Sequence, residues 1–179
     1  MLALCGALAP APSAFAQAPD APFVPTPVPV VERMLELAKV TAGDVVYDLG
    51  SGDGRMVILA ARRYGARGVG VELNPVWVRD ARRYAEELGV ADKVSFRVED
   101  LFTTDLREAT VVTLYLYPAL NRKLAPRLIA ELRPGARIVS HEYGIGDWPP
   151  DHTEAMVVNG TRHVINVWTV RPPGAAGPK

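Results

Sequence analysis

Three glycines stand at every second position in Val45-Val46-Tyr47-Asp48-Leu49-Gly50-Ser51-Gly52-Asp53-Gly54-Arg55, directly after an apolar run that ends near a carboxylate, Asp48. Residues without a Cβ let the main chain turn tightly and approach a ligand closely, so the segment reads as a strand, a turn and a helix start that cradle a nucleotide. The spacing narrows the ligand. A dinucleotide fingerprint needs G-x-G-x-x-G; here Arg55 stands three residues beyond Gly52, and D-x-G-x-G-x-G points to a ligand without a pyrophosphate. A second apolar run, Gly68-Val69-Gly70-Val71-Glu72, also ends on an acid, and a third, Val94-Ser95-Phe96-Arg97-Val98, leads into Glu99-Asp100-Leu101-Phe102. Residues leaving the carboxyl ends of adjacent parallel strands converge on one crevice. Glu72 can accept from both hydroxyls of a ribose. Asp100, with Glu99 as competitor, can accept from an adenine amino group while Leu101 and Phe102 cover the ring. The three strand ends describe one adenosine. Each also has a plainer reading: the glycines as a tight turn, Asp48 as a helix cap, Glu72 and Asp100 as ordinary surface acids.

The elements that must position these groups follow from periodicity. Val31, Met34, Leu35, Leu37 and Ala38 recur at helical spacing over 30–40. Strands are expected at 44–49, 68–72, 93–98, 110–116 and 136–142, and helices at 54–64, 75–88 and 118–132. This alternation predicts a parallel sheet with helices on both faces. Residues 143–152 are too few, and too rich in Gly and Pro, for the crossover helix of another parallel strand. Asn159-Gly160 is a hairpin signal, so strands at 153–158 and 163–170 should close the sheet, with Thr161 and Arg162 permitting a longer loop. The fold class expected is α/β: a Rossmann-like, doubly wound, mostly parallel seven-stranded sheet with an antiparallel C-terminal hairpin, in one domain over 30–171.

On these motifs the chain resembles the class I S-adenosylmethionine-dependent methyltransferases, with VYDLGSGDGR, GVELNP and VEDLF as the first three motifs. The blocks Phe23-Val24-Pro25-Thr26-Pro27, Thr113-Leu114-Tyr115-Leu116-Tyr117 and the stretch from Arg133 to Glu142 are similar to small archaeal protein-lysine methyltransferases and to mitochondrial relatives that modify an ATP synthase subunit. The resemblance implies S-adenosyl-L-methionine as cofactor, held by Asp48, Gly50, Ser51, Gly52, Asp53, Gly54, Glu72, Asp100 and Leu101, and a protein substrate with an accessible lysine as partner. Methyl transfer is chiefly a matter of alignment, although a lysine ammonium, with its reference pKa near 10.4, must also shed a proton. Thr113, Tyr115, Tyr117, His141, Glu142 and Tyr143 end the fourth and fifth strands, and Tyr115, Tyr117 and Glu142 are the catalytic candidates. Two departures matter. Tyr115-Leu116-Tyr117-Pro118 replaces the Asn-Pro-Pro-Tyr type signature of enzymes acting on adenine or glutamine, and the last helix of larger members is missing, which opens one side to a bulky acceptor. A small-molecule methyltransferase, or an exported protein that binds the cofactor without turnover, fits the same motifs.

The 179 residues suffice for one sizeable core. Twenty basic and twenty acidic residues cancel, which disfavours a nucleic-acid partner; Arg62, Arg63, Arg79, Arg82 and Arg83 read as solvated helix faces. His141, His152 and His163 lack i, i+4 spacing and the one cysteine, Cys5, lies outside the domain, so no metal site is expected. Ser140-His141-Glu142 alternates across a strand and cannot form a triad. Residues 1–16 are apolar and end in Ala14-Phe15-Ala16, a signal-peptide pattern shorter than the ~20 residues of a membrane span. Leu4 before Cys5 argues against a lipid anchor. Residues 17–29 read as a Pro-rich linker and 172–179 as a flexible tail. The leader favours the periplasm or secretion while the cofactor favours the cytoplasm, so the compartment stays open, as does the oligomeric state.

Overall fold

The computed structural model describes residues 24–172; the leader expected over 1–16, most of the linker over 17–29 and all but Pro172 of the tail lie outside the described residues. Five parallel strands, Val45–Leu49 (β1), Arg67–Glu72 (β2), Val94–Val98 (β3), Val111–Leu114 (β4) and Arg137–His141 (β5), are joined by the hairpin His152–Val158 (β6) and Thr161–Thr169 (β7). The sheet order is β3-β2-β1-β4-β5-β7-β6, with β7 antiparallel to both its neighbours. β1 is buried at all five positions, as its unbroken apolar run requires of a strand covered on both faces. β6, at the edge, alternates exposed and half-buried residues.

Helices Val28–Leu37 (α1), Arg55–Tyr64 (α2) and Pro75–Glu87 (α3) cover one face, packing Met34, Leu35, Val57 and Ala81 with Val46, Val111, Val139 and Ile165. Pro118–Glu131 (α4) covers the other, where Leu124 and Leu128 meet Tyr47, Leu49, Leu114, Ile138 and Trp168. Local chemistry sets the helix ends. Asn74 caps α3 by accepting from the Val76 amide at 2.9 Å, with Pro75 in the first turn. Asn159 and Gly160 both take positive φ, 50° and 80°, the two-residue turn that matches strand twist, so Thr161 and Arg162 belong to β7 and the longer loop is not used.

One boundary differs from expectation. The linker read as running to residue 29 ends earlier: Val28 and Pro29 lie in α1, Thr26 is buried, and its carbonyl accepts from Arg55 Nη1 at 2.7 Å. Proline here starts a helix instead of keeping the chain extended.

Candidate active site

The sheet order reverses at β1, which leads to β2 on one side and has β4 on the other. Ligands bind at such switch points, beyond the carboxyl ends of the strands. A cavity of about 310 Å³ lies there, lined by Thr26, Asp48, Gly50, Ser51, Asp53, Glu72, Trp77, Glu99, Asp100, Leu101, Phe102 and Tyr115, among others. Eight of the twelve expected site residues therefore share one wall; Gly52, Gly54, Tyr117 and Glu142 do not line it.

The glycine turn hangs from β2. The amides of Gly50 and Ser51 both donate to the Val71 carbonyl at 2.9 Å, and Gly54 N donates to Ser51 O at 2.8 Å. Gly54, at φ 78°, is demanded by packing: a Cβ there would lie 2.5 Å from the Phe96 ring and 3.0 Å from Ala81. Gly52 contributes through its amide, which donates to Glu72 Oε2 at 3.1 Å, while the Asn74 amide donates to Oε1 at 2.9 Å. The carboxylate of Glu72 is thus held in one orientation by two main-chain donors, with lone pairs remaining for a ligand.

Asp48 is buried, and Thr113 Oγ1 donates to its Oδ1 at 2.7 Å. Parallel register places this threonine opposite it on β4. Burial, aided by the neighbouring charges of Asp53 and Glu72, pushes the Asp48 carboxyl up to about 7, against the stabilising hydrogen bond from Thr113. Ser51 Oγ is buried without a partner. Asp53 is clamped by Arg55 Nε at 2.9 Å. Asp100 is exposed and accepts from the Phe102 amide at 2.8 Å, shaping the turn that brings Leu101 and Phe102 to the cavity. Lys123 Nζ lies 3.8 Å over the Phe102 ring, so one face of that ring holds a cation.

The catalytic candidates separate. Tyr115 reaches the cavity, and burial raises its pKa, keeping it a neutral phenol. Tyr117 caps α4, is 44% exposed, and faces Tyr143 with ring centroids 6.4 Å apart. Glu142 turns away into a cluster with His141 and His163. His141, fully buried behind Tyr115 with ring centroids 4.1 Å apart, is pulled down to about 4 by burial. Ser140 donates to the Tyr143 carbonyl at 2.6 Å, so the adjacent Ser, His and Glu form no triad. Sequence reading missed Thr26 and Trp77 as lining residues and Thr113 as the partner of Asp48; only pairing across the sheet reveals the last.

Fold and cavity together define a class I S-adenosylmethionine-dependent methyltransferase. A family model described as ANTKMT methyltransferase domain matches residues 48–152, and the chain belongs to that family. It is 42% identical over 153 residues to a protein-lysine N-methyltransferase of Saccharolobus islandicus, covering 85% of this chain and 95% of the relative. An adenine nucleotide translocase lysine N-methyltransferase of Mus musculus is 39% identical over 80% of this chain and 61% of its own length. Among solved structures, one described as an RNA methyltransferase from Salinibacter ruber in complex with S-adenosyl-L-homocysteine has 53% identity and a TM-score of 0.78, covering 87% of this chain and all of that one.

The residues present fit a sulfonium nucleoside. The cavity wall carries five acidic groups, Asp48, Asp53, Glu72, Glu99 and Asp100, against two cations, Arg55 and Lys123; Asp53 and Arg55 pair with each other, which leaves four acidic groups facing Lys123. A surplus of negative charge attracts a cationic ligand, and the unpartnered Ser51 Oγ awaits a polar group.

Proposed function

We propose that this methyltransferase modifies the side-chain amine of lysine in a protein acceptor. The observation that carries the reading is likeness along nearly the whole length of the Saccharolobus islandicus protein-lysine N-methyltransferase; the acidic cavity wall, suited to a cationic side chain, supports it. Glu72 is assigned to the ribose hydroxyls, and Asp48 and Ser51, with the Gly50 turn, to the amino-acid end of the cofactor. Gly52 acts through its hold on Glu72 and Gly54 through turn packing. Asp53 keeps Arg55 on the Thr26 carbonyl, and Asp100 and Leu101 border the adenine.

Bound there, S-adenosyl-L-methionine supplies an electrophilic methyl group on a positively charged sulfur. Tyr115, a neutral phenol, can accept a hydrogen bond from the incoming amine and so orient its lone pair. Tyr117, exposed at the start of α4, is assigned to the acceptor chain outside the cavity. Glu142 acts at one remove, through the histidine cluster behind Tyr115.

The Salinibacter ruber structure's description raises RNA as a second reading. Charge weighs against it: the chain as a whole is neutral, and three of the exposed arginines are matched locally, Arg63 with Glu32 at 2.6 Å, Arg79 with Asp80 at 3.3 Å and Arg83 with Glu87 at 3.8 Å, which weakens the positive field available to phosphates. Incubating the purified chain with methyl-labelled cofactor and a cell extract separates the readings. Protease-sensitive label that hydrolyses to methyllysine is expected; label removed by ribonuclease, or found only in small metabolites, overturns the proposal.

A further inference from the structure

We propose that His141, Glu142 and His163 form a binding site for a divalent transition-metal ion of the zinc class, set behind the cofactor cavity at the junction of β5 and β7. The inference goes beyond the methyl-transfer reading and does not depend on it.

Geometry carries the argument. His141 Nε2 and His163 Nδ1 are 3.0 Å apart, and each lies 3.3 Å from Glu142 Oε1. Zinc bonds of about 2.0–2.2 Å to nitrogen and oxygen, in a tetrahedron, separate neighbouring donor atoms by roughly 3.3–3.5 Å. The three protein atoms already form a triangle of nearly that edge.

The carboxylate is held in place by the main chain as well: Val164 N donates to Glu142 Oε1 at 3.3 Å, keeping that oxygen beside both ring nitrogens.

The supporting frame has the character of a metal site. Zinc-ligating histidines almost always engage a partner through the second ring nitrogen, and His141 Nδ1 lies 3.1 Å from Thr26 Oγ1. Glu142 adopts φ 65°, a left-handed conformation rare for a residue with a Cβ. It is secured by its amide, which donates to the Val164 carbonyl at 2.7 Å. Two histidines and a carboxylate suit zinc and its neighbours better than calcium or magnesium. His141 is closed off, but Glu142 and His163 retain 26% and 12% side-chain exposure, enough for a water to complete the tetrahedron. Since Thr26 and Tyr115 line the cavity and both rest on His141, the ion would brace the cavity's rear wall.

The test uses the full chain, stripped with chelator and then titrated with Zn²⁺ or Co²⁺. Elemental analysis after desalting should find one zinc per chain, and Zn²⁺ should raise the melting temperature by several degrees. His163→Gln and Glu142→Gln should each weaken binding at least tenfold, whereas His152→Gln leaves it unchanged. Should the first two variants misfold, nitrogen NMR of the wild-type histidines decides: the ring nitrogens of His141 and His163 should shift on titration while those of His152 stay in place. A folded wild-type chain that retains no Zn²⁺ overturns the proposal, as does binding that both ligand substitutions leave intact or that shifts only His152, the partner of Glu154 at the sheet edge.

Discussion

Asp48 joins burial and charge in one carboxyl on the cavity wall. Its folded pKa of about 7 lies above the unfolded value near 3.9, so between these limits the folded protein binds more protons than the unfolded chain. The stability this contributes is complete below about pH 4 and is lost as pH rises through 7, a cost approaching about 4 kcal/mol at full ionisation. Urea unfolding from pH 4 to 8 should show this decline, and Asp48→Asn should flatten it. A sulfonium in the cavity favours the carboxylate, so cofactor binding near pH 6.5 should release a proton, read by calorimetry in buffers of different ionisation enthalpy; release equal in Asp48→Asn would separate Asp48 from the ligand. Glu72 is the second residue-scale lever. Its removal deletes the proposed ribose acceptor and frees the Gly52 and Asn74 amides, so Glu72→Ala should weaken cofactor binding about tenfold, near 1.4 kcal/mol, with an unaltered circular dichroism spectrum.

Among elements, the turn between β1 and α2 is the least tolerant of change. In Gly54→Ala the new methyl meets Phe96 at 2.5 Å in a conformation that already disfavours a Cβ, so a loss of about 2–4 kcal/mol is expected from strain and overpacking together. Gly89→Ala is the control: φ is 67° but no atom lies within 4 Å, and about 1 kcal/mol should suffice. Denaturant midpoints of the two variants check the contrast. The element scale is also where the sequence was most legible. Strand, turn and helix starts are local chemistry, so Asp48, Glu72 and the Asn159-Gly160 turn announce themselves within a few residues. Thr113 and the His141–Glu142–His163 cluster do not, since β1 meets β4 and β5 meets β7 only through pairing across the sheet. Periodicity has no view of that register, and a metal search confined to helical spacing of histidines passes over two strands that run in opposite directions.

At the scale of the molecule, residues 24–27 work as part of the domain. Thr26 receives Arg55 and touches His141, and the Pro27 carbonyl accepts from the Val30 and Val31 amides at 2.9 and 3.0 Å. A chain beginning at residue 24 should therefore melt and bind cofactor like the full chain, while one beginning at residue 30 should lose affinity tenfold or more and unfold at lower temperature. Thermal melts and titration of the two truncations test where the domain starts. Whole-chain neutrality concealed the acidic cavity wall; net charge averages over positions that folding gathers together.

α1 rests on α2 but also on β5, β6 and β7, and Arg33 reaches from it to Glu154 at 2.7 Å. Ribosomes deliver that helix early and its sheet seat last. Val30, Val31, Met34 and Leu35 therefore travel only partly sheltered throughout synthesis, a sticky interval that invites chaperones or aggregation. Closure of that greasy flank waits on β6 and β7, the last of the described strands to be made.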